Sequence, residues 1–560
     1  MKQAYLFYNN SPLDFSLDES IHIVDNLNLS SEYLISNCKS KHSLIYAPEI
    51  NMYINNTKDD ISNKITNIKK IYDIRLEKYD SSLDLDYSQE VGKKLFIISD
   101  NKLEIDSIIS KLNENEFDLF IFKPTDILDI DGHIGNLKIT IKKNEDNISL
   151  QTDQMIWFDA PYFATKQNGV YDPNIEDIEN ILDTIKNNIP EYKYKNYIKY
   201  NPDICQYHER QTEICGKCAD VCPTVAIMKI DEQKHLEFSN IDCHGCGGCV
   251  SVCPSGALDF TQMPRSLFSQ IASFYEDTVA LVIPEQLIND NFHPSLEKNI
   301  LPLAIEGRKF LDEVHFLILL QTSGKPIIFY TDFISKGTGD AITLINEIFQ
   351  RKYNKKAIYV CMDEEELIDA QNNLEDLSEC KFNHYDQDLD KREIFTYRLF
   401  HLVGDDDLGI IKTGEHIHYG NIKIKESNCT LCLACVGACN VKALTAHPED
   451  NSLRFNPSLC TDCGYCEFIC PEKDCLEVIY DEIELNKKYF IKNIMAKDEL
   501  FKCVECGIEF ATVKSIEKIA SIMAPRFGDD KARIRALYCC ADCKPKVTLQ
   551  EYLNKQNEIK

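Results

Sequence analysis

The chain has 560 residues, 44% apolar and 27% charged, the composition of an ordinary multidomain globular protein. Lys plus Arg number 61 against 90 for Asp plus Glu, and a formal charge of −29 excludes a general nucleic-acid binder, which needs a basic face to neutralise phosphates. No apolar run reaches bilayer-spanning length, and Met1-Lys2-Gln3-Ala4-Tyr5 lacks the apolar core of a signal peptide, so a cytoplasmic protein without membrane insertion, its thiols reduced, is expected.

Residues 1–200 read as an amino-terminal α/β domain. A buried strand is expected at 95–98, a helix at 103–113 (Leu103, Ile105, Ile108, Ile109, Leu112) and a second strand at 117–122. Alternation over 134–141, after Gly132 and Gly135, suggests a strand with one exposed face. Residues 174–188 form an acidic amphipathic helix leading to Pro190. A first cysteine module occupies 201–262. Residues 263–425 then alternate strand and helix, with strands at 279–283, 303–305, 327–330 and 357–361 and helices at 309–322, 339–352 and 363–377. Gly324, followed by Pro326, marks a helix stop. This alternation implies a central α/β domain, a parallel sheet with helices on both faces. A second cysteine module at 426–482 and a cysteine-knuckle tail at 483–560 complete the chain. The fold class is thus multidomain α/β with two inserted α+β modules. Gly337-Thr-Gly339 lacks the third glycine and the Lys-Ser pair of a phosphate cradle and reads as a loop. His133, His315 and the Asp405–Asp407 run read as structural or solvated.

Twenty-five cysteines dominate the composition. Only Cys38, Cys361 and Cys380 stand apart; the rest crowd into 205–253, 429–475 and 503–543. In a reduced compartment such groups are metal ligands before they are disulfides. The second module reads Cys429-x2-Cys432-x2-Cys435-x3-Cys439, then Cys460-x2-Cys463-x2-Cys466-x3-Cys470-Pro471. This is the bacterial two-cluster ferredoxin pattern, in which three closely spaced thiolates wrap one iron–sulfur cube and the fourth reaches the other. Cys429, Cys432, Cys435 and Cys470 are therefore expected on one [4Fe–4S] cluster, and Cys460, Cys463, Cys466 and Cys439 on a second. Asn440 stands where proline usually follows the first run.

The first module repeats this with an inserted loop. Cys205 is followed after nine residues by Cys215, Cys218 and Cys222, then by Cys243, Cys246, Cys249 and Cys253. Cys205, Cys215, Cys218 and Cys253 are expected on one cluster, with His208 an alternative to Cys205. Cys243, Cys246, Cys249 and Cys222 are expected on the other. Four [4Fe–4S] clusters result. In the tail, Cys503-x2-Cys506 and Cys540-x2-Cys543, with a helix near 513–522 between them, match a zinc ribbon, with rubredoxin-like iron or a non-metal site as alternatives and Cys539 able to exchange with Cys540. Cys475 lies close behind Cys470 and is the extra thiol nearest a cluster.

The layout resembles a family of cytosolic proteobacterial polyferredoxins. The resemblance covers most of the chain and rests on Cys205-x9-Cys215, on Cys429-Thr-Leu-Cys432-Leu-Ala-Cys435 and on Phe501-Lys-Cys503-Val-Glu-Cys506-Gly507. It implies low-potential electron traffic with a redox protein partner, formate dehydrogenase systems in particular. Gly132-His-Ile-Gly135-Asn-Leu is also similar to a stretch in the flavoprotein subunit of heterodisulfide reductases, but no glycine-rich turn for flavin follows the strand at 95–98. The expected class is an electron carrier rather than an enzyme. An accessory or maturation factor for a formate dehydrogenase is the alternative, and a flavin oxidoreductase a third.

Overall fold

A computed structural model describes residues 5–8, 13–24, 33–38, 43–83, 85–112, 116–143, 146–289, 291–384 and 386–550. The chain divides into two units. One holds Met1–Pro202, Tyr207–Ile342 and Lys355–Asp388; the other holds Asp203–Gln206, Thr343–Asn354 and Leu389–Lys560.

In the first unit, β1 (Tyr5–Tyr8), β2 (Ile21–Val24), β3 (Tyr33–Ser36) and β4 (Ser43–Tyr46) form a parallel sheet in the order β2-β1-β3-β4. Helices α1 (Pro48–Asn56) and α2 (Ile61–Ser81) follow, the latter capped by the Asp60 carboxylate, which accepts from Asn63 N–H. Strand β5 (Lys94–Ile98) leads through α3 (Lys102–Lys111) to β6 (Asp118–Phe122). An antiparallel meander comes next, β7 (Ile127–His133), β8 (Asn136–Lys143) and β9 (Asp146–Thr152). Strands β10 (Gln154–Trp157) and β11 (Val170–Tyr171) and helix α4 (Ile178–Asn187) complete the region. The parallel order β11-β10-β5-β6 makes a second sheet. Alternation along β5 divides its core: Leu95 and Ile97 pack with Ile108, Ile181 and Ile185, while Phe96 and Ile98 pack with Leu137 and Ile139 of the meander. The alternating segment expected at 134–141 is the middle of that meander, with Lys138 and Lys142 on its exposed face.

The first cysteine module comprises β12 (Ile198–Tyr200), α5 (Lys217–Asp220), β13 (Ile227–Ile230), β14 (His235–Phe238), α6 (Gly248–Ser251) and β15 (Leu258–Phe260). Strand β12 pairs antiparallel with β15, and β13 with β14. After α7 (Arg265–Ala272) come β16 (Val279–Pro284), β17 (Ile300–Ile305), α8 (Glu313–Ser323), β18 (Ile327–Tyr330), α9 (Lys336–Tyr353), β19 (Ile358–Cys361) and α10 (Glu364–Asn372). The sheet is parallel, ordered β17-β16-β18-β19, and every residue of β16 and β17 is buried, as in a sheet covered on both faces. Gly324 closes α8 at φ +64°, as expected. Two expectations are corrected. Gly337-Thr338-Gly339 lies in the first turn of α9, where the Thr338 hydroxyl donates to the Leu311 carbonyl at 2.9 Å, and is no loop. Helix α10 ends at Asn372 rather than 377, because Asn372 and Asn373 favour a cap over helix interior.

In the second unit, α11 (Lys391–Val403) starts on a capping box between Asp390 and Glu393. The second module has β20 (Asn421–Ile424), α12 (Ala434–Ala438), β21 (Leu444–His447), β22 (Ser452–Phe455), α13 (Tyr465–Ile469) and β23 (Leu476–Ile479). It repeats the first module's pairings, β20 with β23 and β21 with β22, and adds β24 (Asn493–Lys497) beside β22. The tail is a hairpin of β25 (Leu500–Lys502) and β26 (Glu509–Thr512), then α14 (Val513–Phe527) and α15 (Lys531–Ala536). Among the described residues no helix is long and apolar enough to cross a membrane.

Candidate metal centres

The cysteine runs share a local device. Two residues before the third cysteine of each run the backbone takes positive φ: Gly216 (+131°), Gly247 (+78°), Leu433 (+62°) and Gly464 (+76°). The chain turns there, and the third cysteine enters a short helix, Cys218 in α5, Cys249 in α6, Cys435 in α12 and Cys466 in α13. Glycine is required at 247 on a second count, because a Cβ would sit 2.4 Å from the Phe310 Cβ. Leu433 carries a side chain into a conformation that costs non-glycine residues about 1–2 kcal/mol.

Three pockets gather cysteines in the sets expected from spacing. Cys222, Cys243, Cys246 and Cys249 line one, with Ile198, Ile227 and Phe238. Cys439, Cys460, Cys463 and Cys466 line another, with Leu444, Phe455 and Val478. Cys429, Cys432, Cys435 and Cys470 line a third, with Ile424, Leu453 and Leu476, and Cys475 lines it too. Of the remaining set, Cys215, Cys218 and Cys253 belong to the first unit. Cys253 is buried, its Sγ 4.0 Å from Ser255 Oγ. Cys205 belongs to the stretch Asp203–Gln206, which groups with the second unit. Its thiol is buried, and its carbonyl accepts from Asn440 Nδ2 at 3.0 Å. His208 is engaged elsewhere, with Nδ1 3.1 Å from Nδ1 of His235.

No disulfide joins any of the 25 cysteines. Burial pushes Cys249, Cys460 and Cys466 well above the usual thiol range, Cys243 up to about 11 and Cys435 up to about 12, and neighbouring sulfurs push in the same direction. Four thiolates crowded into an apolar pocket repel one another, and a cationic iron core removes that penalty, so the donor sets fit iron–sulfur clusters. A backbone N–H already points at one of the sulfurs: Asp462 N lies 3.4 Å from Cys460 Sγ.

In the tail the sulfurs of Cys503, Cys506, Cys540 and Cys543 all lie within 4.8 Å of one another. Cys506 and Cys540 Sγ are 3.7 Å apart. Zinc–sulfur bonds of about 2.3 Å place tetrahedral ligands about 3.8 Å apart, so this donor set fits one zinc ion. Burial raises the Cys503 thiol, but N–H groups of Cys540, Cys506 and Glu505 outweigh it and bring its pKa to about 6. Cys539 stands outside the group and directs its Sγ at the Arg535 carbonyl, 3.4 Å away.

Two residues emerge that spacing did not assign to a site. Cys475 is buried and lines the pocket of Cys429 and Cys470; its nearness to Cys470 in sequence was the only signal. Asn440 Nδ2 donates to the carbonyls of Asp203 (3.2 Å) and Cys205, and its Oδ1 accepts from Gln206 Nε2 at 2.7 Å. The absence of proline at 440 was its only trace in the sequence.

Residues 213–257 match the family model of the 4Fe-4S dicluster domain, and residues 421–471 match a second model of the same description. The first match begins after Cys205. No curated protein matches the chain. The chain contains two 4Fe–4S dicluster ferredoxin domains within an α/β protein, with a further cysteine cluster near the carboxy-terminal end, and these domains support a role in iron–sulfur electron transfer.

Proposed function

We propose that the chain is a polyferredoxin that passes low-potential electrons to or from an oxidoreductase through four [4Fe–4S] clusters. The reading rests on one observation above the others: three pockets each gather four cysteines drawn from two separate runs, three from one and the last from its partner. Cys222, Cys243, Cys246 and Cys249 would hold one cluster, Cys439, Cys460, Cys463 and Cys466 a second, and Cys429, Cys432, Cys435 and Cys470 a third. By the same pattern Cys205, Cys215, Cys218 and Cys253 would hold the fourth. Clusters fully ligated by thiolate supply one-electron transfer.

The chain's own residues do the rest. Apolar side chains such as Leu453, Phe455 and Val478 keep water from the sulfurs, and N–H donors steady their charge. The tail cysteines Cys503, Cys506, Cys540 and Cys543 would hold a structural zinc. The α/β regions at 1–200 and 263–425 would orient the modules at 201–262 and 426–482 and offer docking surfaces, with the tail at 483–560. The resemblance to polyferredoxins of formate dehydrogenase systems makes such a dehydrogenase the partner to test.

The test is anaerobic isolation, metal analysis and reduction. About sixteen iron, sixteen sulfide and one zinc per chain are expected. A formate dehydrogenase supplied with formate should reduce the clusters rapidly and reversibly. Iron near eight would remove one module from the proposal. A dehydrogenase that is inactive with artificial acceptors when made without this chain would replace the carrier by an accessory factor.

A further inference from the structure

The cage of Cys429, Cys432, Cys435 and Cys470 contains one thiol more than a cluster needs. Cys475 lines the same pocket. It is 5% exposed and packs in one core with Cys429, Cys435 and Cys470. Its place is set by the ladder rather than by any cluster: the Cys475 carbonyl accepts from Lys425 N–H at 2.8 Å, at the point where β23 begins to pair with β20. Leu476, the next residue, is buried in the same core. The backbone thus holds the sulfur against the cage whether or not iron is bound. Among the described residues, the pocket of Cys439, Cys460, Cys463 and Cys466 is lined by no fifth cysteine. In thiol content the two cages of one module therefore differ by this one S–H group.

We propose that Cys475 is a hydrogen-bond donor to this cluster, its S–H shared between the sulfurs of Cys429 and Cys470, and that it raises the reduction potential of this cluster above the value the four ligands alone would set. This rests on the proposed assignment of a cluster to these four cysteines. An added electron increases the negative charge on the ligand sulfurs, so a donor held against them binds the reduced form more strongly than the oxidised form. No proton moves and no bond to iron forms or breaks. Within the module, electrons would then settle preferentially on this cluster rather than on its neighbour.

The experiment uses the full chain, purified anaerobically, with Cys475→Ala and Cys475→Ser beside the native protein. Iron is counted, and each cluster is followed by electron paramagnetic resonance during a redox titration. The signal of this cage is identified by its loss in Cys435→Ala. In Cys475→Ala the iron count should stay unchanged. At a fixed poise the reduced-to-oxidised ratio of this one cluster should fall roughly three- to tenfold, the worth of one hydrogen bond. Cys475→Ser, whose hydroxyl still donates, should restore it. An unchanged ratio in Cys475→Ala overturns the proposal, and so does a loss of about four irons, which would make Cys475 a ligand. If the native protein shows no signal that Cys435→Ala removes, the cluster assignment itself fails, and that result is distinct from either outcome for Cys475.

Discussion

Replacing Asn440 by alanine tests how the Cys205 segment is held. Three hydrogen bonds disappear: from Nδ2 to the Cys205 carbonyl at 3.0 Å, from Nδ2 to the Asp203 carbonyl at 3.2 Å, and from Gln206 Nε2 to Oδ1 at 2.7 Å. Each is worth about 0.5–1.5 kcal/mol net, and a half-exposed site belongs at the lower end, so the segment should lose about 1.5–2.5 kcal/mol of local stability. In the proposed assignment Cys205 would ligate a cluster, and release of that iron would require this segment to open. The opening equilibrium, and with it the release rate, should rise roughly ten- to seventyfold. The assay is anaerobic extraction of reduced protein with a ferrous chelator. About four of about sixteen irons should leave in an accelerated phase, and the remainder at the native rate. Asn440→Asp keeps the acceptor for Gln206 and loses both donors, so it should fall between. Asn440→Pro, the residue usual at this point of a ferredoxin run, should match alanine. An unchanged extraction curve, or uniform acceleration of all the iron, would refute the role given to Asn440.

Other perturbations probe separate parts of the chain. Leu433→Gly relieves about 1–2 kcal/mol of left-handed strain and gives back about 0.5–1 in chain entropy, so amide exchange across 429–439 should slow roughly two- to fivefold; faster exchange would show that the strain is absent. Cys543→Ser should remove one zinc per chain and leave iron unchanged in metal analysis, and retained zinc would exclude Cys543 as a ligand. Arg265→Met leaves the fully buried Asp312 without the guanidinium 2.9 Å away. With His315 Nδ1 2.6 Å from the same carboxylate to share its charge, the cost should sit near the lower end for a broken buried pair, about 3 kcal/mol. Amide exchange in α8, which Asp312 caps, should then quicken more than about a hundredfold, and native exchange rates there would contradict this.

The division between what was legible in the sequence and what was not follows the range of the interactions. A cysteine run is a local object: two-residue gaps, one positive-φ residue and a helical turn set the sulfurs within one short loop, so four cysteines of each of three pockets could be read from spacing alone. The strands at 95–98, 279–283 and 327–330 were legible for a related reason, since a strand buried on both faces is an unbroken apolar run. The sheet of β1 to β4 was not, because its strands are four residues each, too short for a periodic signal, and become strands only by pairing with one another. Gly337-Thr338-Gly339 looked like a loop because glycine is a poor helix former, yet the Leu311 carbonyl anchors Thr338 in the first turn of α9. The sequence by itself determined that two cysteine modules carry the 4Fe–4S dicluster pattern, and with it the iron–sulfur character of the protein. Only tertiary structure decided that the start of β23 would set Cys475 in the pocket of Cys429 and Cys470, and that Asn440 would hold a segment more than two hundred residues earlier in the chain. Neither contact leaves a pattern in the local sequence, because each exists only when distant strands and loops have closed on one another.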